Sequence, residues 1–136
     1  MNSPTSIILD THIWIRWLNQ TDRLPATLSQ RIDQAEQLHI SVVSIYEFVW
    51  LIQRGRIKLP LDLDAWLRAS TTDISINLLP VTAAIARRAA GLPMIHGDPI
   101  DRLIIATALE NSLSLMSLDG HFARYAELQS LLIFPG

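Results

Sequence analysis

Apolar residues along this chain fall into short unbroken runs separated by stretches with helical spacing. The first run, Ile7-Ile8-Leu9, stops at Asp10. A run of this kind predicts a strand buried on both faces of a parallel sheet. A helical pattern, Thr11–Leu18, follows at once. Pro25 is placed as the first residue of a second helix after a break at Asp22-Arg23-Leu24, and Leu28, Ile32 and Ala35 give that helix an apolar stripe. Leu38–Val42 reads as a second strand. Ser44 opens a third helix, Ile45–Arg54, and with Glu47 three residues on it matches a capping box. That helix is apolar almost all round, which predicts burial. Gly55 suits its C-terminal cap and Pro60 stops further helix. Asp64–Ala69 predicts a short helix and Ile74–Leu78 a third strand. Thr82–Ala90 is an Ala-rich helix closed by Gly91 and Pro93. Ile100–Glu110 is a helix, Leu113–Ser117 a strand, Phe122–Leu128 a helix and Leu131–Phe134 a last strand. Strands that alternate with helices predict an α/β sandwich, a parallel sheet with helices on both faces.

The 136 residues suit one domain with a sizeable core, and no repeat or linker divides them. Hydrophobic residues make up 49% and charged residues 18%. That excess of apolar residues points to a well-covered sheet, a partner interface, or both. The apolar runs are too short for a membrane span. Met1–Thr5 has no basic region ahead of an apolar core, so no signal peptide is expected. With no cysteine, disulfides and thiolate zinc sites are excluded, and a cytoplasmic location is compatible. A net charge of −2 gives no global attraction to nucleic acid, so binding RNA or DNA requires a local basic patch or cations.

Four carboxylates stand at matching ends of the predicted elements. Asp10 and Asp119 follow strands, and Glu47 and Asp101 lie near the starts of apolar helices. In a parallel sheet those ends share one edge, so the four can converge. Two carboxylates about 4 Å apart repel by roughly 4 kcal/mol at an effective dielectric near 20. A cluster of four therefore calls for protons or a hard cation such as Mg²⁺, and such a site suits phosphodiester hydrolysis. Each position also has an ordinary explanation. Asp10 suits a helix N-cap, Glu47 the capping box, and Asp119-Gly120 a turn. Asp98-Pro99-Ile100-Asp101 is a strong helix start, with Asp98 as N-cap and Pro99 in the first helical position.

Four motifs, in order, resemble a PIN domain, most closely the VapC-type toxin ribonucleases of bacterial toxin–antitoxin pairs. They are Leu9-Asp10-Thr11-His12, Ser44-Ile45-Tyr46-Glu47-Phe48, Asp98-Pro99-Ile100-Asp101-Arg102 running into Leu103–Ala108, and Leu115–Phe122. The resemblance covers almost the whole chain. It implies a three-layer α/β/α sandwich around a mostly parallel five-stranded sheet, and RNA cleavage dependent on Mg²⁺ or Mn²⁺. It assigns Asp10 as first metal ligand, Glu47 as second acid, Asp101 as third and Asp119 as fourth. In this scheme Asp10 and Asp101 hold the metal directly, and Glu47 and Asp119 act through water or on a second ion. Thr11 and Ser117 match small hydroxyl positions that border the site, and Asp98 is extra to the general pattern. The expected partners are RNA, a cognate VapB-type antitoxin and a second copy of the chain. A PIN domain that only binds RNA or protein, and a housekeeping ribonuclease, are the alternatives within the fold.

Other residues carry weaker signals. His12, His39, His96 and His121 form no zinc spacing and are expected in ordinary surface or capping hydrogen bonds. Arg54-Gly55-Arg56-Ile57-Lys58 reads as a solvated helix end, with a phosphate grip as the alternative. Arg102 is open to pairing with a carboxylate or a phosphate. Trp14 and Trp17 share a helix face, and with the helix around Trp50 they suggest a groove or dimer surface unless they pack in the core. A phosphatase using a strand-end Asp is disfavoured, because the residue two after Asp10 is His12 and the single lysine, Lys58, lies away from the strand ends.

Overall fold

The computed structural model describes residues 5–18, 24–59 and 62–134; the expected breaks at Asp22-Arg23 and Pro60 lie outside them. Five strands, β1 (Ser6–Leu9), β2 (Gln37–Ser41), β3 (Ile76–Leu79), β4 (Ser114–Met116) and β5 (Leu132–Ile133), form one sheet in the order β3-β2-β1-β4-β5. Every neighbouring pair is parallel. Among the described residues, six α-helices accompany them: α1 (Thr11–Leu18), α2 (Ala26–Gln34), α3 (Val42–Gln53), α4 (Leu63–Ala69), α5 (Ala83–Gly91) and α6 (Pro99–Glu110).

Alternation along the strands divides the core. Ile7, Leu9, Ile40 and Met116 face α1, α2, α3 and α4, while Ile8 and Leu115 face α6 and the segment around Phe122 and Leu128. The chain moves outward from β1 through β2 to β3, then returns to build β4 and β5 on the other side. The reversal leaves a crevice at the carboxyl ends of β1 and β4, the place where open α/β sheets bind ligands.

Aromatic side chains fill the first half-core. Trp14 is fully buried, and its indole N–H donates to the Ser70 carbonyl at 3.1 Å. Its ring lies edge-on to Phe48 at 5.7 Å and to Trp66 at 5.5 Å, and the last two stack at 4.1 Å. Trp14 is therefore core and no part of a groove. Trp50 is 39% exposed and carries the Arg54 guanidinium over its ring at 4.7 Å. Arg54, Arg56 and Lys58 are exposed after the end of α3, as a solvated helix end would be.

Several expected boundaries shift, each for a local reason. The capping box is absent. Ser41, the last residue of β2, caps α3 by accepting from the Val43 N–H, so Ser44 and Glu47 both lie inside the helix. α3 is also not buried all round: Phe48 is buried, but Val42, Tyr46 and Trp50 are exposed along one stripe. Pro25 is the N-cap of α2, so the helix starts at Ala26, one residue later than expected. Ile74 closes a 3-10 turn and Ser75 takes a left-handed φ of 61°, so β3 starts only at Ile76. Phe122–Leu128 is two 3-10 turns, because Tyr125 between them is extended and turns its ring into the core.

Two buried polar side chains depart from expectation. Arg102 pairs with no carboxylate among the described residues. It reaches from α6 to the end of α5, donating to the carbonyls of Ala89 (2.9 Å), Leu92 (2.8 Å) and Pro93 (2.8 Å). A cation suits that end of the helix dipole, and the fork satisfies acceptors the helix leaves open. His39 is buried between Ile8 and Asn77 of the neighbouring strands, with no hydrogen-bond partner at either ring nitrogen among the described residues. Burial holds its pKa below the ordinary value of 6.5.

Arg102→Ala should lower stability by about 2–3 kcal/mol, a fall in melting temperature of roughly 6–12 °C, and Arg102→Lys should not restore it because one ammonium cannot span three carbonyls. His39 makes an acid-side prediction. The unfolded chain takes up the His39 proton more readily, so this stability is fully present above about pH 6.5 and is lost as pH falls through the lower folded value. In melts taken from neutral pH down to about pH 5, His39→Leu should lose less stability than the parent.

Candidate active site

Each acidic side chain reaches the β1–β4 crevice from a different element. Asp10 is the first residue beyond β1 and caps α1. Its Oδ1 accepts from the Ile13 N–H at 2.8 Å, while Ser117 Oγ, just after β4, donates to Oδ2 at 2.6 Å. Asp10 thus has the ordinary capping role, and its second oxygen is held by the residue after β4. Ser117 Oγ also accepts from the Asp119 N–H at 2.9 Å, so one hydroxyl ties the two strand ends together. Thr11 shares a buried 2.9 Å hydrogen bond with Ser44 of α3. That bond is the role Ser44 has in place of capping.

Glu47 points from α3 into the same region. Its Oε1 is buried with no hydrogen-bond partner among the described residues, and its Oε2 lies 4.0 Å from His12 Nε2. Asp98 is the N-cap of α6: its Oδ1 accepts from Ile100 N at 2.9 Å and Asp101 N at 3.3 Å. Asp101 stands in the first turn of α6. Asp119 Oδ1 accepts from the backbone N–H of His121 at 2.9 Å and lies 2.8 Å from its Nδ1.

The electrostatics record the convergence. Burial pushes the Asp101 carboxyl up to about 8, with further upward pushes from Asp98, Asp10, Glu47 and Asp119. Burial also raises Asp10, against the pull of Ser117, the Ile13 N–H and His12, and Glu47 adds to the rise. Asp119 behaves oppositely. Partial burial works to raise it, but the backbone and ring of His121 and the charge of His96 outweigh burial and hold it below the usual carboxylate range. Burial and neighbouring acids thus both disfavour the charged forms of Asp10 and Asp101 where no cation is present. The unpartnered Glu47 oxygen and the carboxylates of Asp101 and Asp119, whose ligand atoms come within 4.8 Å of each other, fit a hard divalent cation, with Asp10 and Glu47 near enough to act on Asp101 by charge.

One neighbour of the acids was not legible in the sequence. His96, in the loop before α6, lies 3.3 Å from Asp101 Oδ2 through Nε2 and 2.7 Å from Tyr125 Oη through Nδ1. His121 stacks on its ring. His96 is therefore a half-buried member of the cluster, not an ordinary surface or capping residue. A histidine five residues before Asp101 is a visible signal, but only the fold brings Tyr125 behind it.

The comparisons with known proteins agree with this architecture. Ribonuclease VapC22 of Mycobacterium tuberculosis is 34% identical over 116 residues, which cover 85% of this chain and 88% of the relative. Among solved structures, VapBC2 of Rickettsia felis bound to a promoter DNA fragment superposes with a TM-score of 0.72 at 16% identity, covering 97% of this chain and 100% of that one. A toxin–antitoxin complex from Klebsiella pneumoniae gives 0.67 at 19% identity, covering 96% and 98%. VapBC-5 from Mycobacterium tuberculosis gives 0.60 at 20% identity, again covering 96% and 98%. At such identities these structures speak for the fold. A family model for the PIN domain matches residues 7–128, and with these likenesses the chain belongs to the PIN domain family.

Proposed function

We propose that this chain is a divalent-cation-dependent endoribonuclease, the toxin of a VapBC-type toxin–antitoxin pair. One observation carries the reading: Asp101 is pushed up to about 8, first by its burial and then by the nearby charges of Asp98, Asp10, Glu47 and Asp119, which reach it from separate parts of the chain. The relationship to Ribonuclease VapC22 supports RNA as the substrate. Asp10 and Asp101 hold the cation, Mg²⁺ or Mn²⁺, and Glu47 and Asp119 complete its surroundings. When bound, the cation supplies the positive charge that draws in a phosphate and activates water for attack.

The chain's own residues prepare the crevice. Ser117 and the Ile13 N–H fix both oxygens of Asp10. Asp98 is positional: it caps α6 and so sets where Asp101 begins. The carbonyl clamp of Arg102 holds that same helix against α5. His121 keeps Asp119 ionised and ready to face positive charge. The VapBC complexes with this fold support a VapB-type antitoxin as partner. The exposed stripe of Val42, Tyr46 and Trp50 offers an apolar face for the antitoxin or a second copy. Among the described residues no helix is long and apolar enough to cross a membrane.

The purified chain should cleave RNA with Mg²⁺ or Mn²⁺ and stop when a chelator is added. Asp10→Asn should lower the rate by roughly two to three orders of magnitude while circular dichroism stays unchanged. Cleavage that survives chelation would end this reading. Asp101 gives a stability test without substrate. Its folded value of about 8 lies above the ordinary 3.8, so the metal-free folded chain binds the extra proton. Its contribution is fully present below about pH 4 and is lost as pH rises through 8. Metal-free Asp101→Asn should therefore melt about 3–8 °C above the parent near pH 8.5, and the gap should close towards pH 5.

A further inference from the structure

The four carboxylates leave His96 without a role, yet its ring is fixed at both nitrogens. Nδ1 lies 2.7 Å from Tyr125 Oη, and Nε2 lies 3.3 Å from Asp101 Oδ2. Tyr125 is fully buried, so its hydroxyl is a fixed support behind the imidazole. On the open side His121 stacks in parallel at 5.2 Å, and that ring is itself anchored to Asp119 at 2.8 Å. One ligand atom from each of His96, Asp101 and Asp119 falls within 4.8 Å of the others.

A hydroxyl both donates and accepts, so Tyr125 can serve either tautomer of His96. With the proton on Nδ1 and donated to Tyr125, Nε2 turns a lone pair towards Asp101 and Asp119. Metal-binding histidines are arranged in this way, the far nitrogen donating to a fixed partner and the near one open. The 3.3 Å between Nε2 and Oδ2 also suits two adjacent donors on one ion, given bonds of about 2.0–2.2 Å.

We propose that the Asp119 side of the cluster is a mixed nitrogen–oxygen cation position, with His96 Nε2 as a donor beside Asp101 and Asp119 and with Tyr125 orienting His96. The proposal rests on the reading that the cluster binds a divalent cation. Imidazole suits transition ions, whereas Mg²⁺ prefers oxygen, so this position favours Mn²⁺ over Mg²⁺.

The test is direct binding to the metal-free full chain. Mn²⁺ and Mg²⁺ are titrated calorimetrically, and the Mn²⁺-loaded protein is examined by pulsed electron paramagnetic resonance for coupling to nitrogen. The parent should show that coupling, His121→Ala should keep it, and His96→Ala should lose it. His96→Ala should weaken Mn²⁺ by about tenfold or more and Mg²⁺ by much less. Tyr125→Phe should keep the coupling and still weaken Mn²⁺ by about tenfold. If His96→Ala does not fold, His96→Asn takes its place with the same expected loss. Mn²⁺ bound without nitrogen coupling, or coupling that persists in the His96 variant, overturns the proposal and leaves the carboxylate reading standing. Unchanged affinity in Tyr125→Phe overturns the orienting role. A parent that binds no Mn²⁺ overturns both readings.

Discussion

Asp10 is a carboxyl group with almost no water around it, 3% exposed at the centre of the sheet's carboxyl edge. Burying an ionised group is expensive unless hydrogen bonds or opposite charge answer it. Ser117 and the Ile13 N–H meet part of that cost, and they do so by joining β4 and α1 to β1. The remaining demand is electrostatic, and nearby acids increase it. A site under this tension is pre-set for positive charge: its ionised form lies high in free energy, and an opposite charge beside it would lower that.

Much of the scaffold was legible because it depends on local chemistry. The run Ile7–Leu9, the Ala-rich pattern of α5, and Asp98-Pro99 ahead of α6 each state their element in a few residues, and the structure follows them closely. The approach of the four acids to one another was legible through the order of strands and helices and through the family motifs, since the residues stand far apart in the chain. What escaped was decided by tertiary contact. Ser44 with Glu47 satisfies the capping-box pattern, but Ser41 captures the cap one turn earlier and frees Ser44 to bond Thr11. His96 looked like a loop histidine because its partner, Tyr125, lies 29 residues away. Arg102 adjoins Asp101, and spacing alone leaves it open to a carboxylate or a phosphate. A helical neighbour points to a different face, and the helix end it serves is set by packing of α5 on α6.

Arg102 and Asp98 also show how the fold and the crevice are joined. Asp98 starts α6, Arg102 binds that helix to the end of α5, and Asp101 lies between them in sequence. The position of an acid in the crevice is therefore set by backbone groups at two helix ends rather than by side-chain packing alone.

The parallel sheet has a consequence for how the crevice comes into being. No two strands adjacent in sequence can close as a hairpin, and the pairing of β1 with β4 matches Leu9 with Met116 across most of the chain. The bond between Asp10 and Ser117 closes a separation of 107 residues. Contacts of such long range form slowly, because the entropy of closing the loop is lost before the contact is gained. The α1–α4 half can gather its aromatic core around Trp14 while Asp10 still lacks Ser117, Asp101 and Asp119. During synthesis the acidic crevice is thus incomplete until β4 and the segment after it are available to fold, and the order of elements itself delays the appearance of the finished site.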